Sequence, residues 1–161
     1  MVQQAFKATA HPVAVNDEAA LDQKRLVARI GSRWFLNALG LVRAFGNGDI
    51  LDGLILLAIT DANTRHMNGA DSGYRAVQDI PPDEHRQPVS VYVIARDLGL
   101  SYETARRHVQ RLIKAGRVER LEDGVVVPGR VFAEQETMNL TSRNYANTRR
   151  FLDQLREVGA L

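Results

Sequence analysis

Residues 90–118, SVYVIARDLGLSYETARRHVQRLIKAGRV, constrain the fold more than any other stretch of the chain. Ser90 stands before Val91, Ile94 and Leu98, apolar residues at helical steps, and Gly99 closes the set. Ser101 then caps a second predicted helix that runs to about Ala115, with Gly116 at its end. In that second helix Ala105, Val109, Leu112 and Ile113 share one face. Helices this short bury an apolar face only against a partner, so this face is predicted to dock on Ile94 and Leu98. Glu103, Arg107, Gln110, Arg111 and Lys114 then project from the opposite side, with Arg106 on the flank and Tyr102 near the capped end.

The sequence that follows continues the pattern. RVERL, EDG and VVVPGRVF read as a strand, a tight turn and a returning strand, with Gly124 allowing the positive φ of the turn. Upstream, ILDGLILLAITDANTRHM predicts a helix to about Met67, capped by Asp49. Residues 68–88 hold Gly69, Gly73, Pro81, Pro82 and Pro88 and read as a long, partly extended connection, of a kind often mobile or functional. The resulting fold class is mainly α with a small β-hairpin. Its expected division is a loose arm at 1–16, an N-terminal helix in 17–46, a central domain at 47–132 and a helical extension at 133–161.

IARDLGLSYETARRHVQRLIKAGRVER resembles the DNA-binding part of bacterial winged helix-turn-helix regulators of the IclR, GntR and MarR kind. Their shared pattern falls here on Ala95, Gly99, Leu100-Ser101, Thr104, Leu112, Gly116 and Val118, and about forty-five residues, 88 to 132, match it. The resemblance implies a winged helix-turn-helix flanked by N- and C-terminal helices, and a cytoplasmic transcriptional regulator, nucleoid-associated when bound.

The chemistry of the second helix agrees with double-stranded DNA as partner. An α-helix fits the major groove, where Arg bonds guanine edges and Gln bonds adenine edges. Arg107 and Gln110, one turn apart, are the leading candidates for base reading, with Glu103, Arg106 and Tyr102 beside them. Ser101, Thr104, Arg111, Lys114, Arg117, Arg120 and Arg130 are candidates for phosphate contact. Residues 101–120 hold six Lys/Arg against two Asp/Glu, whereas residues 1–89 hold nine against ten. On that division the positive excess of a chain with net charge +2 gathers in one segment. The hairpin tip, Glu122-Asp123, is acidic and predicts no deep insertion of the wing between phosphates.

Helix 17–45 has apolar residues on a wide arc, which suggests burial on two sides, one of them by a second copy of the chain. Ile30, Trp34, Leu41 and Phe45, with Leu152 and Leu155 of the C-terminal helix, are the expected homodimer interface. Tyr145, Thr148, Leu152 and Leu155 form a thin stripe suited to packing on another helix. The competing reading is a winged-helix module that binds protein rather than DNA. An unidentified small-molecule effector is left open, with the 68–88 loop as one place for it.

Other chemistry finds little support. No apolar run approaches the roughly 20 residues needed to cross a bilayer, and ILDGLILLAI is broken by Asp52 and Gly53. With no cysteine there are no disulfides and no thiolate chemistry. His11, His66, His85 and His108 lack metal-ligand spacing, and Asp49 and Asp52 read as caps or surface charges. His108 reads as a packing residue. GNGD follows a helix, not a strand, so it is no nucleotide fingerprint. No enzyme activity, cofactor or metal is expected. ANTR occurs at 62–65 and 146–149 with unlike flanks and reads as coincidence.

Overall fold

The computed structural model describes residues 23–69 and 72–161. The arm expected at 1–16 and the first turns expected from residue 17 lie outside the described residues. The architecture is mainly helical with one two-stranded antiparallel hairpin, as the sequence predicts.

Helix α1, Lys24–Phe45, leads through Gly46-Asn47-Gly48 into α2, Ile50–Thr64, which a 3₁₀ turn at Arg65–Met67 extends. Asp49 caps α2, its carboxylate accepting from the N–H groups of Leu51 and Asp52 at 2.9 and 3.1 Å. The sequence of α2 is apolar almost all round because α1, the helices at Val91–Asp97 and Tyr102–Lys114, and the strand at Gly124–Val126 surround it. Ile55, Leu56 and Ile59 of α2 are fully buried.

The α1–α2 junction depends on glycine. A Cβ at Gly53 would overlap the carbonyl oxygen of Val42, so the last turn of α1 rests directly on the backbone of α2.

The connection from α2 to the helix that starts at Val91 contains a 3₁₀ turn at Asp83–His85 and is tied down at its C-terminal end. The Arg86 side chain is buried, donating to the Asp83 carboxylate and the Pro81 carbonyl, with its guanidinium 5.0 Å from the Phe132 ring centre. Of the two expected characters for this connection, mobile or functional, its C-terminal end is thus not mobile but fixed in place. Asn63, also buried, makes the second anchor. Its amide donates to the Gln87 and Val125 carbonyls and its oxygen accepts from Val127 N–H, joining α2, the connection and the hairpin.

Helices α3, Val91–Asp97, and α4, Tyr102–Lys114, take Ser90 and Ser101 as N-caps. Gly99 turns the chain between them at φ 65°. Ala105, Val109 and Leu112 are buried with Ile94, and Leu98 and Ile113 pack at the margin of the same core. Strand β1, Glu119–Leu121, pairs with β2, Gly124–Val126, in the register Leu121↔Gly124, Arg120↔Val125 and Glu119↔Val126. Val89 bridges to Val125 on the other edge of β2. The returning strand is shorter than VVVPGRVF suggests. Pro128 has no N–H to donate, the strand ends before it, and a short helix α5, Gly129–Ala133, follows.

Helix α6, Gln135–Glu157, returns antiparallel to α1. Trp34 stacks on Phe151 with ring centres 5.1 Å apart, and Asn37 donates to the Asn147 side chain at 3.2 Å. Ile30, Trp34, Leu41 and Phe45, with Leu152 and Leu155, the residues of the expected homodimer interface, lie on helices that pack together within one chain; Phe45 and Leu155 are buried and the other four are part-exposed. Among the described residues α1 is covered by α2 and α6. Phe35 and Leu36 of α1 are 54% and 62% exposed. Tyr145 of α6, placed in the packing stripe by its spacing, is instead exposed. Asn63 and Asn147, the asparagines of the two ANTR segments, are each buried, Asn63 joining α2 to the connection and the hairpin and Asn147 joining α6 to α1. Among the described residues no helix is long and apolar enough to cross a membrane.

Candidate nucleic-acid interface

Helix α4 presents its polar side to solvent because its apolar side is held by α3 and α2. Arg107, Gln110 and Lys114 are exposed, and none has a hydrogen-bond or ion-pair partner among the described residues. Tyr102 is exposed near the N-terminus. Ser101 is occupied by the cap, accepting from Thr104 N–H at 3.1 Å and donating to the Thr104 hydroxyl at 2.8 Å.

Four of the expected DNA-contacting arginines are engaged by the protein itself. Arg106 forms a two-pronged contact with Glu103, at 2.8 and 2.6 Å. The contact holds the Glu103 carboxyl below its ordinary pKa and raises that of the Arg106 guanidinium. These two candidates for base reading therefore satisfy one another. Arg117 has only 11% of its side chain exposed. It donates to Glu134 at 2.5 Å and lies 5.3 Å from the Phe45 ring centre, which makes it a clasp between α4's exit, α1 and α6. Arg130 donates to the Gly116 carbonyl and to Glu119, bracing the hairpin on the end of α4. Arg111 donates to Asp49 at 2.6 Å and to Asp52 at 2.8 Å, so it too is withdrawn from the phosphate set in this arrangement. Arg120, on the hairpin, is exposed and without a partner among the described residues.

Asp52 is buried, in contrast to the surface role its sequence position suggests. Its carboxylate receives both Arg111 and the Nδ1–H of His108, 2.7 Å away. His108 is buried, as its place near the apolar face predicts. Its Nδ1 also lies 2.9 Å from Arg111, but a nitrogen that donates to Asp52 has no lone pair for that guanidinium. The Asp52 contacts are therefore the hydrogen bonds. Asp49 is held below its ordinary carboxyl pKa, chiefly by Asp52 N–H, with Arg111 and Leu51 N–H adding to the effect. Contact with Asp52, above all, raises the Arg111 pKa.

Potential ligand atoms of Asp49, Asp52 and His108 all lie within 4.8 Å of one another. The Arg111 guanidinium already supplies their positive counter-charge. Nothing in the local sequence announces this network, since His108 and Asp52 are 56 residues apart.

Set against protein-family models, curated proteins and solved structures, the chain shows no match.

The reading of the site therefore rests on its own geometry. After internal pairing, α4 and the hairpin leave Arg107, Lys114 and Arg120 as free cations, with Gln110 between the first two on the same exposed side. That is a small, cationic, hydrogen-bonding surface on a rigidly held helix.

Proposed function

We propose that the protein binds duplex DNA, with α3, its turn, α4 and the hairpin acting as a winged helix-turn-helix and α4 entering the major groove. The observation that carries this reading is the exposure of Arg107 and Gln110, one turn apart and unpartnered, opposite the buried Ala105, Val109 and Leu112. These two side chains have the donor and acceptor chemistry to distinguish base edges. Lys114 and Arg120 would meet phosphates. With only three free cations here, one copy binds weakly and loses affinity steeply with salt. Two copies on a two-fold axis, each reading a half-site, would raise specificity. The biological role that follows is transcriptional regulation.

Selection from a pool of random duplexes tests this directly. Enrichment of a motif, symmetric if two copies bind, is the expected result. No enrichment, together with no binding at low salt, would remove the proposal.

A second reading is supported by a specific observation. Arg106, Arg111, Arg117 and Arg130 are neutralised by carboxylates, and the hairpin tip Glu122-Asp123 is acidic. A face with so little free charge also suits a protein partner.

A further inference from the structure

Among the described residues, α4 is not where most of the unpartnered positive charge lies. Helix α1 carries Lys24, Arg25, Arg29, Arg33 and Arg43 and no Asp or Glu. Dividing the chain into long sequence windows hides this, because acidic residues on either side of the helix cancel it. Among the described residues, the ion-paired arginines lie off α1 and α6, with Arg156 the exception. Arg33 and Arg43 on α1, and Arg143 and Arg150 on α6, have no carboxylate partner.

Three of these arginines converge on one groove. Two adjoining hollows of about 470 and 370 Å³ run between α1 and α6 and share Asn37, Asn147 and Arg150. Arg143 lines one end and Arg33 the other, and no carboxylate lines either hollow. The floor is built and polar: Asn37 donates to Asn147, which donates in turn to the Trp34 carbonyl at 3.2 Å. Asn147 is itself buried. Helical rise separates Arg143 from Arg150 by about 10 Å, and Arg33 from Arg43 by about 15 Å.

Cations strung along a groove in this way suit an extended polyanion better than one small anion, which in either hollow would meet two of the three arginines and leave the third unused. A DNA strand offers a phosphate about every 3.4 Å of axis, so several arginines can be met together. We propose that the groove between α1 and α6 is a second DNA contact, gripping the phosphate backbone without reading sequence. Its choice of partner rests on the DNA reading above, but its residues are separate from those of α4.

The test is fluorescence anisotropy with a mixed-sequence duplex of about 30 base pairs across a salt series, long enough to span several helical turns. The triple variant Arg33→Gln, Arg143→Gln, Arg150→Gln is compared with wild type, and with Arg65→Gln as a control off the groove. Circular dichroism confirms that each variant is folded. Loss of three phosphate contacts should flatten the log–log salt slope by about 2 to 3 and weaken binding at least tenfold, alike for all sequences. An unchanged slope and affinity overturns the proposal. The two DNA surfaces are told apart by Arg107→Ala with Gln110→Ala. If that pair leaves binding and sequence preference intact while the triple variant weakens binding, the α4 reading fails and the groove stands. The reverse result sinks the groove and keeps α4. A wild-type chain that binds no duplex at low salt overturns both.

Discussion

The Arg111 guanidinium lies 2.8 Å from the carboxylate of Asp52, so the charged helix α4 is fastened to the first turn of the central helix α2. The contact is lopsided. Asp52 is buried, while Arg111 has half its side chain in solvent.

Removing either partner should therefore cost unequal amounts. Arg111→Ala leaves Asp52 still bonded to His108 and is expected to destabilise by the smaller amount. Asp52→Ala strips a buried acceptor from both His108 and Arg111 and should cost about 3 kcal/mol. Denaturant midpoints of the two variants give the ordering. Equal costs would show that Asp52 does not organise the network.

Arg107 and Lys114 should separate recognition from attraction. On a selected site, Arg107→Ala is expected to cost about 1–3 kcal/mol and to relax preference at one position. Lys114→Ala should weaken every sequence alike and flatten the salt slope by about one unit. Competition titrations against selected and scrambled duplexes measure both effects.

Asp49 makes an acid-side prediction. Its folded pKa lies below the ordinary value of 3.8, so its stabilising contribution is present above that value and is lost as the pH falls through the folded pKa. At neutral pH Asp49→Ala should be less stable than wild type by about 1 kcal/mol, the usual worth of an N-cap. The gap should narrow as acid carries the pH below 3.8. Urea titrations at stepped pH follow it; a gap that widens in acid would contradict this account.

Asn63 is expected to be among the least replaceable residues. It satisfies the Gln87 and Val125 carbonyls and Val127 N–H, all distant in sequence. Asn63→Ala orphans buried backbone groups and should cost about 3 kcal/mol or more. Asn63→Asp should not rescue it, because a carboxylate cannot donate to the two carbonyls. Thermal melts of both variants are the check.

What could be read in the sequence was what local chemistry determines. Ser90 and Ser101 cap their helices through N–H groups three residues ahead, and Gly99 turns the chain in a conformation that glycine favours. Those signals lie within a few residues of the features they cause. Arg106 sits three residues from Glu103, so even that pairing was legible, though the residues were read as two separate contacts. Arg111 and Arg117 are different. Their partners Asp49, Asp52 and Phe45 are about sixty or seventy residues away, and only the packing of α2 and α1 against α4 brings them together. The same holds for Trp34 and Phe151: the apolar face of Trp34 is visible in the sequence, but its stacking on Phe151 is not. Charge counting failed on α1 because a window is a property of the chain, whereas a surface patch is a property of the fold.

The bare backbone contact of Gly53 with Val42 leaves no side-chain cushion at the elbow between α1 and α2. Any side chain added at position 53 would wedge α1, and the α6 helix packed on it, away from the foot of α2.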